Sequence, residues 1–181
     1  MQKEVCSREE LDIIKSKIRD IPDFPKKGII FKDITPLLKD NLSFKLVIDR
    51  LADYYSEKKI DYVVAIESRG FIIGSPLAYE LGAGFIPIRK KGKLPYKVHR
   101  ITYSLEYGED TLEIHEDAIE KGKNVLIIDD LLATGGTIGA AIEMVKKIGG
   151  NIVGVAFLIE LAFLNGREKL PDCEMVALVS Y

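Results

Sequence analysis

Four short aliphatic runs limit what this chain can fold into: IDYVVAIE (60–67), AGFIPIRK (83–90), NVLIIDD (124–130) and NIVGVAFLIEL (151–161). Each is rich in Val and Ile and apolar at consecutive rather than alternate positions, which suits a strand buried on both faces. Helix-like stretches separate them, among them GFIIGSPLAYEL (70–81) and TIGAAIEMVKKIG (137–149). Strands of this kind alternating with helices imply an α/β fold, a parallel sheet covered on both sides. CEMVALVSY (173–181) adds a last strand. A chain of 181 residues that is 47% hydrophobic suffices for one such core and is short for two, so a single domain over 1–181 is expected.

Two segments depart from this alternation. At the N-terminus, Ser7 precedes REELDIIKSKIRD, in which Leu11, Ile14 and Ile18 recur at helical spacing, so a capped helix opens the chain. IPDFPKKGIIFKDITP, dense in Pro and Gly, reads as a loop with a short extended piece at GIIF. From Ser43, the residues Phe44, Val47, Ile48, Leu51 and Tyr55 form a helical stripe ending near Lys59. Further on, Ile101, Tyr103, Leu105 and Tyr107 alternate with polar residues before GEDT and LEIH, the pattern of a β-hairpin. The expected architecture is therefore an open, mainly parallel sheet flanked by helices, with a small N-terminal hood (1–36) and a flexible β-hairpin lid (98–116).

The bulk numbers exclude several classes. A formal charge of −2 gives no basic field to recruit nucleic acid or an anionic membrane, so any affinity for phosphate must be local. The most apolar run, Ile152 to Leu164, contains Glu160 and is shorter than the roughly 18 residues that mark a bilayer span. Cys6 and Cys173 have neither CxxC spacing nor a His pair nearby, which predicts reduced thiols in a soluble, cytoplasmic protein.

The chemistry concentrates in VLIIDDLLATGGT (Val125 to Thr137). In an open parallel sheet, ligands bind at the carboxyl ends of strands, and Asp129 and Asp130 end such a strand. The loop Ala133 to Thr137 then offers two glycines, which let backbone N–H groups turn inward, and threonine hydroxyls beside a helix N-terminus. That makes a phosphate cradle without the Lys of a P-loop or the G-x-G-x-x-G of a dinucleotide fold. Carboxylates beside a phosphate suit a ligand that also offers hydroxyl donors, as ribose does, so a ribose 5-phosphate is the ligand inferred.

These residues resemble the phosphoribosyl-pyrophosphate (PRPP) signature of type I phosphoribosyltransferases. DDLLATGGT, ESRGF (67–71), IRKKGKLP (88–95), YSLEYG (103–108), GREKL (166–170) and DFPKKGIIFKDITPLL (23–38) together look like the adenine phosphoribosyltransferase branch. The resemblance covers nearly the whole chain. It implies transfer of the phosphoribosyl group from Mg²⁺-bound PRPP to adenine, giving AMP and pyrophosphate in purine salvage. It also implies the type I phosphoribosyltransferase fold and a homodimer.

The resemblance further assigns roles by residue. Asp129 and Asp130 would hold the ribose hydroxyls, and Ala133, Thr134, Gly135, Gly136 and Thr137 the 5′-phosphate. Ser68, Arg69 and Gly70, in a loop that can carry a cis non-proline peptide in this family, would meet pyrophosphate, as would Arg89 and Lys93. Adenine would lie against Phe31, with the Ile30 backbone reading its edge and Leu131 opposite. Glu106 would be the catalytic carboxylate. Mg²⁺ would be held mainly by substrate oxygens, with no dedicated protein ligands. Lys32 stands where the family pattern suggests Arg. Two alternatives stay open: a PRPP-sensing regulator without catalysis, and the same reaction on hypoxanthine, guanine, xanthine or orotate.

Overall fold

The structure, a computed structural model, describes residues 5–104 and 108–181. The chain divides into two compact units, Met1–Tyr54 and Tyr55–Tyr181.

In the first unit, α1 (Arg8–Ser16) opens with a capping box: Glu10 N donates to Ser7 Oγ, and Ser7 N donates to the Glu10 side chain. Strands β1 (Arg19–Pro22) and β2 (Ile30–Asp33) pair as an antiparallel ribbon in which Asp20 faces Lys32 and Ile21 faces Phe31. Lys32 is buried, and its Nζ lies 2.7 Å from Asp20 Oδ1, so this lysine ties the two strands together. Between the strands, Gly28 N donates to Asp23 Oδ1, and Phe24 packs edge-on against Phe31 at 5.2 Å. A short helix follows, α2 (Thr35–Lys39), with Pro in its first turn, and then α3 (Asn41–Tyr55), which begins two residues before the expected Ser43.

The second unit is built on β3 (Tyr62–Ile66), α4 (Arg69–Glu80), β4 (Gly84–Lys90), β5 (Val98–Ser104), β6 (Glu109–His115), β7 (Asn124–Leu132), α5 (Gly136–Ile148), β8 (Asn151–Glu160) and β9 (Met175–Ser180). The sheet order is β5-β6-β4-β3-β7-β8-β9, parallel from β4 through β9 and antiparallel at β4, β6 and β5. Val64, Ile66, Ile88, Leu112, Ile127 and Phe157 are among the buried side chains of its core. Each such residue contributes about 1.5–3 kcal/mol relative to exposure.

The hairpin expected from alternation is present, with Val98 facing His115 and Ser104 facing Glu109. It is not a detached appendage, because β6 continues the main sheet: Arg89 pairs with Glu113 and Lys90 with Leu112. Position 106 lies outside the described residues. Among the described residues, no helix is long and apolar enough to cross a membrane.

Candidate active site

The parallel core delivers two strand ends to the same level of the sheet. Val64 of β3 faces Ile127 of β7, so the turn after Ile66 and the acidic end of β7 become neighbours. There a cavity of ≈ 410 Å³ opens, lined by Glu67, Ser68, Arg69, Lys90, Asp129, Asp130, Leu131, Ala133 and Thr137, with Ile66 at its base. Its volume falls within the usual range for small-molecule sites.

Asp129 and Asp130 behave as one acidic unit. Burial, and then the neighbouring Asp130 carboxylate, push the Asp129 carboxyl well above its usual range; burial also raises Asp130, against the pull of Arg69. Arg69 Nη2 stands 2.9 Å from Asp130 Oδ2. The contact is an ion pair, and among the described residues this buried oxygen accepts no hydrogen bond. Both carboxylates line the cavity, where a ligand hydroxyl can donate to them.

The loop after β7 makes the phosphate cradle. Gly135 sits at φ 86°, a left-handed conformation that costs glycine little, and caps α5 so that the helix N-terminus faces the cavity. A second cavity of ≈ 80 Å³ lies along the loop itself, lined from Leu131 to Ile138 and by Asp129. Gly166 presses on the loop from behind. A Cβ at Gly166 would stand 2.0 Å from the Ala133 carbonyl oxygen, and one at Gly135 would stand 2.6 Å from the Gly166 carbonyl oxygen. Arg167, held by two hydrogen bonds to Glu160 and one to the Met175 carbonyl, anchors the segment that presents Gly166. This contact gives the GREKL stretch a structural purpose that its composition did not reveal.

The turn after β3 carries a cis peptide between Glu67 and Ser68. Gly70 packs α4 onto the acidic strand end: a Cβ there would lie 2.9 Å from Asp129 Oδ1. Its lack of a side chain thus serves the approach of helix to strand. Glu67, quoted in the ESRGF motif but given no role from sequence, is the hub of the basic corner. Its Oε1 accepts from Lys93 Nζ at 2.5 Å and Arg89 Nη2 at 3.3 Å, and its Oε2 from Lys90 N at 3.0 Å. Burial works against the charge, but these bonds overcome it and hold the carboxyl at about 2.

Arg89 and Lys93 are therefore drawn to Glu67, while Lys90 is the cation of this patch that lines the cavity. The signal was in the register: Ile66 pairs with Ile88, which sets Glu67 beside Arg89. Lys90 Nζ pairs with Asp110 of β6. The Tyr103 hydroxyl of β5 lies 3.4 Å from Asp110 Oδ2 and 3.1 Å from Thr137 Oγ1.

Of the proposed adenine contacts, Leu131 lines the cavity, whereas Ile30 and Phe31 belong to the first unit, where Ile30 is 55% exposed on the two-stranded ribbon. Glu106 lies outside the described residues.

Residues 36–176 match the phosphoribosyl transferase domain. The chain is 60% identical over 166 residues to an adenine phosphoribosyltransferase of Halothermothrix orenii, covering 92% of this chain and 98% of the relative. An adenine phosphoribosyltransferase structure from Thermoanaerobacter pseudethanolicus superposes with a TM-score of 0.92 at 53% identity, over 94% of this chain and 99% of that one. The Saccharomyces cerevisiae enzyme, complexed with adenine and an imino-altritol bisphosphate, gives a TM-score of 0.89 at 41% identity, covering 95% of this chain and 99% of the other.

Proposed function

Because this chain belongs to the phosphoribosyl transferase family, and within it to the adenine phosphoribosyltransferases, which are pentosyltransferases, we propose that it transfers the 5-phosphoribosyl group of Mg²⁺-bound PRPP to adenine, releasing AMP and pyrophosphate. One observation carries the reading: an acidic pair and a backbone phosphate cradle meet at a single strand end.

Backbone N–H groups at the start of α5 and the Thr137 hydroxyl bind the 5′-phosphate, and Asp129 and Asp130 take the ribose hydroxyls. Arg69 and Lys90 face the departing pyrophosphate, with Ser68 beside them and Arg89 and Lys93 behind. As the bond from C1′ to pyrophosphate stretches, these fixed cations stabilise the leaving charge at no cost of reorganisation. The family resemblance assigns adenine binding to Phe31, the Ile30 backbone and Leu131. Glu106 accepts or steers the proton that the base sheds as N9 attacks.

Mg²⁺ would arrive on substrate oxygens, held mainly by pyrophosphate and ribose, and keep its waters. When bound, the ion neutralises pyrophosphate charge. A homodimer and a cytoplasmic location accompany this reading.

The test is a competition assay: purified protein, PRPP and Mg²⁺ with adenine, hypoxanthine, guanine and orotate together. AMP as the dominant nucleotide is expected. Another nucleotide would sink the base assignment alone, and no nucleotide despite PRPP binding would sink the catalytic reading. Glu106→Ala should lower kcat by about 10²–10⁴-fold with little change in PRPP affinity; an unchanged kcat removes Glu106 from the mechanism.

A further inference from the structure

One buried charge of the sheet takes no part in the chemistry above. Glu113 of β6 is 1% exposed, and its neighbours in register are Arg89 of β4 on one side and Arg100 of β5 on the other. A carboxylate is seldom covered this deeply unless each oxygen has a donor. Here Oε1 accepts from Arg100 Nε at 2.6 Å, and Oε2 accepts from the backbone N–H of Gly92 at 2.9 Å. Burial works against the charge, but the bonds from Gly92 and Arg100 outweigh it and hold the carboxyl below its usual range.

The bond to Gly92 falls at the centre of the basic turn after β4. Arg89, Lys90, Lys91 and Lys93 crowd four positive charges into five residues, and their mutual repulsion would splay an untethered loop. Gly92 sits at φ 81°, where the chain reverses, and Arg89 Nη1 donates to the Lys93 carbonyl at 3.1 Å to close the turn. Glu67 grips this turn from the β3 side, through Arg89, Lys93 and the Lys90 N–H. Glu113 grips it from the β6 side, at the backbone N–H between Lys91 and Lys93. Because Arg100 holds its other oxygen, the Glu113 carboxylate does not swing away to follow a moving cation.

We propose that Glu113 is a positioning residue for the anion corner: braced by Arg100, it fixes the shape of the turn 91–93 and, through it, the placing of Arg89, Lys90 and Lys93 for a pyrophosphate group. The inference rests on the assignment of pyrophosphate to this corner under the proposed function. Its consequence is that a buried negative charge strengthens the binding of an anion.

Calorimetry of the full chain tests this with Mg²⁺-PRPP and, separately, with AMP. Both ligands carry a ribose 5-phosphate, but only PRPP carries pyrophosphate, and without adenine it has no acceptor. Glu113→Gln keeps the shape, yet its amide oxygen faces two donors and its amide nitrogen can accept from neither. Glu113→Met keeps the bulk with no charge to bury, which guards against a folding defect peculiar to one variant. By charge alone, either substitution should tighten PRPP binding, since a repelling carboxylate is gone. We expect the reverse: PRPP affinity falls by about 5- to 10-fold in both, the scale of one lost hydrogen bond, while AMP affinity stays within about 2-fold. Adding Arg100→Gln to Glu113→Gln restores the net charge and offers the new amide an acceptor, so PRPP affinity should return to within about 3-fold of the wild type.

PRPP affinity unchanged or higher in both single variants, or AMP affinity falling as far as PRPP affinity, overturns the positioning role while leaving the assigned function standing. A wild type that binds AMP but not Mg²⁺-PRPP overturns the assignment of the corner and the inference with it.

Discussion

The two phosphate corners of the cavity are built from different materials. The cradle after β7 is backbone: glycines at 135 and 166 interlock, and helix α5 presents its N–H groups. The basic corner is side chain: Glu67, Arg89, Lys90, Lys93 and Asp110 hold one another by charge-assisted bonds along the β3, β4 and β6 edges. A backbone site resists loss of charge but not the addition of a single carbon. A side-chain site tolerates crowding at its rim but fails when one charge in its network is removed.

The largest expected effect follows from that difference. Gly166→Ala pushes a methyl group into the Ala133 carbonyl and shifts the cradle, so kcat/KM for PRPP should fall by on the order of 100-fold, the scale of an ångström misplacement. Steady-state kinetics at varied PRPP would show it; a fall below about 3-fold would mean that the interlock is slack.

The acidic strand end divides the comparison again, since it serves binding at a cost in stability. Asp129→Asn should raise KM for PRPP by about 10-fold, the loss of one charge-assisted hydrogen bond. The same variant should be more stable than the wild type at neutral pH. The folded-state carboxyl lies above its usual 3.8, so deprotonation disfavours the fold as pH rises past that value, and Asn has nothing to deprotonate. Melting curves should therefore diverge above pH 3.8 and converge below it.

At the basic corner, Glu67→Gln frees Arg89 and Lys93. KM for PRPP should rise several-fold, corresponding to about 1 kcal/mol, with kcat nearly unchanged. A lower KM would mean that Glu67 sequesters these cations instead of aiming them. The smallest effect is Glu67's own contribution to acid stability. Its folded value of about 2 lies below the usual 4.5, so the stabilisation is complete above pH 4.5 and is lost as pH falls toward 2. Difference melting of wild type against Glu67→Gln should show the gap closing through that window.

What was legible in the sequence separates along the same line. Local patterns announced the parallel strands, the capping Ser7 and the ATGGT cradle, because each depends on residues adjacent in the chain. Strand β1 escaped notice: RDIP has no strand pattern and exists by pairing with IFKD, which begins at Ile30. α2 was hidden in a stretch that Pro and Gly made look like loop. Lys32, which looked anomalous as a departure from the family pattern, is explained by Asp20 across the ribbon. Glu67 and Gly166 act on strands and loops distant in sequence, so no local motif could give their roles. Resemblance supplied the names of the site residues; register and close approach supplied the reasons.

The contact between Gly166 and the phosphate cradle also bears on how such a site could be moved. The two loops belong to different connections, one from β7 to α5 and the other from β8 to β9, and each fills the space that a side chain on the other would need. Segment 129–137 transplanted alone into a foreign sheet would arrive without its backstop, and its glycines would be free to relax. The portable unit is the pair of loops with the Arg167–Glu160 clamp that spaces them, so recombination between relatives should preserve binding when its breakpoints fall outside 129–170 and lose it when they fall between the loops.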